Sequence, residues 1–258
     1  MEHNTHSQIF DFIIVGGGCI GVSTALALQK EIPGAKILLA EGYETRTASK
    51  HGSKIVRKAY YDQGYVTLAT EADEKFNVDP LYSKFYRRTG WIQVVRGNDY
   101  KPFHSGEQLI DVEDLSTMNH LKSSSQIDPT EELWLNEDVG VVYSTLALEE
   151  IAIRAETLGV IRLRKDISKL ITSDGICHGV ECDGISFKAN ITIVATGAWT
   201  PALLKCSGIQ LPHPLQDFLK ITAIVVAKLY LTKEEYARFK SNRVLSTDQG
   251  MSQIIHLI

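Results

Sequence analysis

Six consecutive residues carry the first chemical signal. Gly16-Gly17-Gly18-Cys19-Ile20-Gly21 has the spacing G-x-G-x-x-G. In that spacing Gly16 makes a tight turn, Gly18 leaves the backbone open to a pyrophosphate, and Gly21 lets a helix pack closely on a strand. The first amides of the helix and its dipole then favour phosphate charge. Glu41 lies twenty residues beyond Gly21, where an acid accepts the hydroxyls of a ribose. A glycine-rich turn alone is a common structural device. Here it follows an apolar run, opens a helical pattern and has its acid in place. Cys19 and Ile20 fill the x positions, where packing against the ligand is the reading. A thiol at a helix start can also be reactive. Together these residues point to a dinucleotide without saying which one.

Other candidates are weaker taken singly. Residues 48–60 read Ala-Ser-Lys-His-Gly-Ser-Lys-Ile-Val-Arg-Lys-Ala-Tyr. On their own Lys54 and Arg57 would be solvated loop cations, and Ser49 and Ser53 plain loop serines able to hydrogen-bond a ligand. An apolar strand pattern at Ile191–Val194 ends in Ala195-Thr196-Gly197, where small residues let a backbone pass close to a ligand. Trp199 follows, placed to line that ligand or to fill the core. Cys177, His178 and Cys182 flank a hairpin turn and lack a fourth ligand, so they read as free thiols and not as a metal site. No metal is expected.

These residues need elements to position them. Phe12–Val15 reads as a strand buried on both faces of a parallel sheet. Residues 19–30 follow with apolar residues at helical spacing, including Ile20, Ala25 and Leu28. Pro33-Gly34 ends that helix, and 35–40 is a second strand, completing a βαβ unit. Residues 41–57 read as a polar loop. Helices are predicted over 62–76, 112–121 and 146–158, and a strand over 90–95. A β-meander is predicted over 167–172, 176–182 and 185–194, with Asp174-Gly175 and Asp183-Gly184 at its turns. Residues 221–231 predict a long strand, and Thr232-Lys233-Glu234-Glu235 a capping box. The apolar residues 254–258 read as a strand just beginning, which suggests a chain cut in mid-domain.

Composition narrows the classes of function. The 258 residues are 44% hydrophobic and 22% charged, ordinary for a globular chain, with a formal net charge of -4. A general nucleic-acid or anionic-membrane surface would need clustered excess cations, so neither partner is expected. The apolar runs fall far short of the ~20 residues of a spanning helix. No secretory signal is visible in the polar start. Four scattered cysteines at 19, 177, 182 and 206 do not form a disulfide framework. The expected location is intracellular and cytoplasmic.

Two of these segments resemble known flavoproteins. Ala195-Thr196-Gly197, paired with the N-terminal glycines and the meander between them, resembles the second flavin-contacting segment of two-domain flavoproteins. That shifts the choice from NAD to FAD. Residues 48–60 look like the S-x-x-x-x-K/R-I-x-R-x-x-Y segment of the D-amino-acid-oxidase superfamily. The nearest branch holds the sarcosine, pipecolate, saccharopine and fructosyl-amino-acid oxidases, particularly the fungal members. The flanks agree with it: YVTLATE from Tyr65, then DPLY, FYRRTGWIQV and ATGAWTPALL. The resemblance runs from about Asp11 to about Lys240.

It implies an α/β chain, α+β overall. A Rossmann-like FAD-binding domain (9–60 and 135–212) would be interleaved with an incomplete antiparallel-sheet substrate domain (61–134 and 213–258). The implied reaction is FAD-dependent oxidation of the C–N bond of a secondary or N-substituted amino acid. Oxygen is the acceptor, and imine and hydrogen peroxide are the products. By resemblance Lys54 lies against the isoalloxazine ring and Arg57 holds the substrate carboxylate. Ser49, Ser53, Thr196, Gly197 and Trp199 join Gly16, Gly18, Cys19, Ile20, Gly21 and Glu41 as cofactor-binding positions, with Ile167 at the head of the meander. Family members continue beyond the position of Ile258 with more substrate-sheet strands, another lysine near the flavin and a closing glycine-rich segment. The family also includes peroxisomal members, but the last residues here match no such address. The expectation is a chain truncated at its C-terminus. Two alternatives stand beside it: a catalytically incomplete relative that at most binds the dinucleotide, and an NAD-dependent dehydrogenase.

Overall fold

Gly16–Gly18 separate the first strand from the first helix, and a sheet grows on both sides of that strand. A computed structural model describes residues 9–42, 47–50, 54–96, 106–111, 131–212, 219–223, 230–247 and 252–253. The chain divides into two units, Met1–His51 with Ser144–Val226, and Gly52–Tyr143 with Ala227–Ile258. Strands and helices are numbered along the whole chain.

The first unit holds β1 (Ile9–Val15), α1 (Cys19–Glu31), β2 (Ile37–Ala40), α3 (Ser144–Thr157), β9 (Ile161–Leu163), β10 (Lys169–Ser173), β11 (Ile176–Cys182), β12 (Ile185–Val194) and α4 (Thr200–Cys206). Its sheet has the order β10-β11-β12-β1-β2-β9. The pairs from β12 to β9 are parallel, and the predicted meander joins as two antiparallel hairpins. Both hairpin turns use Asp-Gly with positive φ, at Asp174 and Asp183, as a twisted two-residue turn requires. All four residues of β2 are buried, which is why it reads as a continuous apolar run. Phe10, Ile13, Val15 and Leu38 form one core cluster with Val180, Cys182, Phe187 and Leu203. On α1 the buried stripe is Val22, Ala25, Leu26 and Gln29. Ile20 is 67% exposed and does not belong to that stripe.

The second unit holds β3 (Lys54–Val56), α2 (Gln63–Val78), β4 (Tyr86–Arg88), β5 (Trp91–Arg96), β6 (Glu107–Ile110), β7 (Glu131–Asn136), β8 (Gly140–Val142), α5 (Lys233–Phe239), β13 (Val244–Thr247) and β14 (Ser252–Gln253). One sheet runs β14-β13-β5-β7-β6, antiparallel except for β13 on β5; a second runs β3-β8-β4 and is antiparallel throughout. The fold is thus mixed α/β, with parallel and antiparallel sheets. The capping box forms at α5: Thr232 Oγ1 accepts from the Glu235 amide at 3.2 Å and Glu235 Oε2 accepts from the Thr232 amide at 2.8 Å.

Three sequence expectations differ in detail. Residues 54–56 were expected in a loop but form β3, because Ile55 and Val56 suit a strand and β8 offers them a partner. The division into units falls elsewhere than the expected domain bounds, with 52–60 and 135–143 in the second unit, where β3 and β8 pair, and 213–226 in the first. Of the strand expected over 221–231, residues 221–223 and 230–231 are outside any strand, and 224–229 lie outside the described residues. The expected helix at 112–121 and strand at 254–258 also lie outside them.

Candidate functional site

The parallel pairing of β12, β1 and β2 brings three chain breaks to one edge of the sheet. Such an edge, at the carboxyl ends of parallel strands, is where α/β folds bind ligands. Gly16 takes φ +122°, and a Cβ there would overlap the Ala195 carbonyl oxygen. A Cβ on Gly21 would overlap the carbonyl oxygen of Gly16, so this glycine sets the close approach of α1 to the turn. Gly18 differs from both. Its φ is -78°, which any residue adopts, and a Cβ would stand 3.2 Å from Ser49 Oγ and 3.4 Å from Thr47 Oγ1. Ser49 Oγ accepts a hydrogen bond from the Cys19 amide at 3.1 Å, one of the amides that a helix start leaves without an intrahelical acceptor.

These segments enclose a cavity of about 760 Å³, within the range of small-molecule sites. Its wall is built by residues 15–20, 40–42, 47–50, 165–168 and 194–199, closed by Ala202, Leu203 and Cys206. Of the sequence candidates, Gly16, Gly18, Cys19, Ile20, Glu41, Ser49, Ile167, Thr196, Gly197 and Trp199 all line it. Gly21 lies behind the wall as a packing residue. Ile20 and Trp199 are exposed at the rim, at 67% and 53%. Thr196 and Thr200 share a hydroxyl hydrogen bond of 2.9 Å.

The charges behind the wall are ordered. Glu41 is buried, and its Oε1 accepts from Arg162 Nε at 2.7 Å and lies 2.6 Å from Arg162 Nη2. Glu41 Oε2 is buried and accepts no hydrogen bond, with Lys50 Nζ 4.0 Å away. The Arg162 side chain is 1% exposed and forks onto Glu149 of α3 at 2.8 and 2.7 Å. Hydrogen bonds from Arg162 hold the Glu149 carboxyl down at about 2. Burial opposes this, and the charges of Arg162, Arg164 and Lys50 add to it. The same pairing raises Arg162 further above its ordinary value.

Gly17 and Lys50 line the cavity and Arg162 pairs with Glu41 behind it; the sequence reasoning passed over all three. A Cβ on Gly17 would overlap the Glu41 side chain, a need signalled only by the third consecutive glycine. Lys50 sat inside the segment already singled out. Nothing in the sequence pairs Arg162 with an acid 121 residues away.

Lys54 and Arg57 belong to the second unit. Lys54 opens β3, paired with Val142. The Arg57 guanidinium lies 4.8 Å from the Tyr60 ring and 5.1 Å from the Trp91 ring, and Trp91 Nε1 donates to Ser246 Oγ at 2.7 Å. Ser53 lies outside the described residues. A smaller apolar hollow of about 370 Å³ lies between Tyr60, Tyr65, Leu68 and Ala69. His178 pairs with Ser173 at 2.8 Å, and Cys182 is a core thiol that burial pushes up. Among the described residues no helix is long and apolar enough to cross a membrane.

Residues 11–251 match the family model DAO, FAD dependent oxidoreductase. The chain belongs to that family. It is similar to L-saccharopine oxidase of Schizosaccharomyces pombe, 26% identical over 267 aligned residues that cover 90% of this chain and 59% of that protein. Peroxisomal sarcosine oxidase of Homo sapiens is 26% identical, over 80% of this chain and 55% of its own. In fold the chain resembles Amadoriase I, the fructosyl amine:oxygen oxidoreductase of Aspergillus fumigatus. The TM-score is 0.69 at 19% identity, over 93% of this chain and 58% of that one. The chain spans 55% to 59% of the length of the curated relatives it matches.

FAD is the cofactor of this family, and the cavity fits its ADP half. Gly16, Gly17 and Gly18 line the cavity without side chains, and a Cβ on Gly18 would stand 3.2 Å from Ser49 Oγ. Glu41 Oε2, buried and without a hydrogen bond, is an acceptor that a ribose hydroxyl would satisfy.

Proposed function

We propose that this chain holds FAD by its ADP half in the cavity at the ends of β1, β2 and β12, and that it serves the oxidation of a secondary or N-substituted amino acid. Glu41 Oε2 carries the binding half of this reading. A buried carboxylate oxygen without a hydrogen bond is costly, and a ribose hydroxyl would satisfy it. The reaction half rests on family membership and on relatives named for saccharopine, sarcosine and fructosyl amines. When bound, FAD supplies the two-electron acceptor that takes a hydride from the carbon beside nitrogen, giving an imine that water hydrolyses, and oxygen then receives the electrons as hydrogen peroxide.

The chain's own residues bind and orient. Gly16 and Gly18 keep the backbone clear for the pyrophosphate. Ser49 fixes the first amide of α1, and Ile167, Thr196, Gly197 and Trp199 shape the opposite wall. Lys54 and Ser53 are assigned to the flavin by their motif positions, and Arg57 to the substrate carboxylate, which a guanidinium grips in bidentate fashion. The stacking of Arg57 on Tyr60 and Trp91 leaves the planar cation little freedom.

A second reading starts from where the residues fall: the cavity is lined from the first unit, and Lys54 and Arg57 belong to the second. On it, residues 1–258 by themselves bind the dinucleotide without turning over an amine. A flavin fluorescence titration of the purified chain, followed by a peroxide assay with sarcosine and saccharopine, tests both. Saturable FAD binding with peroxide formation supports the full reading, and binding without peroxide the second. Absence of saturable binding overturns both.

A further inference from the structure

We propose that Arg162 is a positioning residue for the dinucleotide: it holds the Glu41 carboxylate so that Oε2 alone is presented to the ribose. This deepens the binding role proposed for Glu41 and rests on it. Arg162 spends Nε and Nη2 on a single oxygen, Glu41 Oε1. Its other edge is locked by the fork onto Glu149, and Nη1 also lies 3.5 Å from Glu156. A guanidinium held from two sides cannot swing to share itself between both Glu41 oxygens. The Glu41 side chain packs against Gly17, filling the space that a Cβ there would take. Oε2 is therefore left buried and without a hydrogen bond, on a residue that lines the cavity.

Cations stand on both sides of the carboxylate. Arg164 Nε lies 3.8 Å from Glu41 Oε1 on the β9 side, and Lys50 Nζ 4.0 Å from Oε2 on the loop side. Glu149 and Glu156 face Arg162 from α3, and Asp166 lies beside Gly42. An arginine near this position in a dinucleotide fold can instead receive a 2′-phosphate. Here Arg162 is committed to carboxylates on both sides, which favours an unphosphorylated ribose.

The test measures calorimetric dissociation constants of the full chain for ADP and for 2′,3′-dideoxyADP, which lacks both ribose hydroxyls. The parent is expected to prefer ADP by roughly ten-fold or more, the scale of a charge-assisted hydrogen bond. E41Q should lose that preference. R162Q should lose most of it while binding the dideoxy ligand within about three-fold of the parent, and R162K should recover part. Equal weakening of both ligands in R162Q would reduce Arg162 to a structural ion pair and overturn the proposal, as would an undiminished preference. If R162Q does not fold, E149Q carries the test. Its site is one-third exposed, and an unchanged preference there also overturns the proposal. If the parent or E41Q shows that the hydroxyls are not read by Glu41, the binding role of Glu41 falls first and takes this inference with it.

Discussion

Two buried carboxylates, one in each unit, meet the same electrostatic problem and end differently. Glu41 and Asp73 are 3% and 6% exposed, and each keeps one buried oxygen without a hydrogen bond. Asp73, on α2, is balanced by Lys58 at 3.4 Å and Arg88 at 3.9 Å, and both cations also pair with Asp138. Beside it sits Tyr86, whose phenol is pushed up to about 12 by burial first and then by the charge of Asp73. That cluster ties α2 to the ends of β3, β4 and β8. In front of Glu41 the chain instead places glycine backbone and a cavity. If Glu41 binds as proposed, its unsatisfied oxygen serves a ligand because glycine backbone and a cavity stand beside it. Elsewhere such an oxygen is a local cost of holding a helix on a sheet.

The cleared backbone is where the comparison breaks most completely. Gly21→Ala would push a Cβ into the Gly16 carbonyl. A backbone atom cannot move aside as a side chain can, so the loss of stability is expected to exceed about 3 kcal/mol. Gly18→Val meets only two hydroxyls at 3.2 and 3.4 Å on an ordinary φ. That variant is expected to fold, with a loss of about 1–2 kcal/mol, and to lose FAD. Thermal melts beside flavin absorbance separate the two. A Gly18→Val protein that retains as much flavin as the parent would remove the pyrophosphate from this turn.

Exchanging the two acids for amides sharpens the contrast. Glu41→Gln is expected to weaken FAD by about 1.5–3 kcal/mol, roughly ten- to over a hundred-fold. Asp73→Asn is expected to lower stability by about 1–3 kcal/mol, because two cations lose a partner, while the FAD dissociation constant stays put. Urea midpoints and flavin titrations of both variants read the two effects apart. Should Asp73→Asn weaken FAD as Glu41→Gln does, the two carboxylates would not differ in kind.

Much of this was legible in the sequence where the signal is local. The glycine spacing, the acid at the end of β2 and the two Asp-Gly turns each fix a backbone conformation within a few residues. Of the residues they named, Gly16, Gly18 and Glu41 line one cavity. Contacts between distant segments were not legible. Arg162 on a three-residue strand reads as an ordinary surface cation until parallel pairing of β2 and β9 sets it beside Glu41. Lys54 to Val56 read as loop because three residues are too few to show a period, and only β8 makes them a strand. Ile20 fitted a helical stripe, yet the packing of α1 uses Val22 and Leu26 and turns Ile20 to the cavity rim. Nothing in the sequence around Asp73 signals that it is buried, or that Lys58 and Arg88 from outside α2 pair with it.

Acid titration distinguishes the two clusters by a smaller margin. Arg162 holds the Glu149 carboxyl at about 2 against an ordinary 4.5. A depressed carboxyl stabilises the fold fully above its unfolded value, and that stability is lost as pH falls through the folded one. The window therefore runs from about 4.5 down to about 2. Glu149 is one-third exposed, and with solvent screening its contribution is on the order of 1–2 kcal/mol. Asp138 in the second unit also lies below its ordinary value. Burial opposes that shift, and Lys58 and Arg88 outweigh it; at 48% exposure it contributes less. The parent is thus expected to lose stability between pH 4.5 and 2, and Glu149→Gln to lose about 1–2 kcal/mol less over the same interval. Urea midpoints at half-unit steps measure the difference. Parallel curves for parent and variant would mean that the Arg162–Glu149 fork adds nothing to the stability of the first unit, and that Glu41 and Glu156 hold the guanidinium.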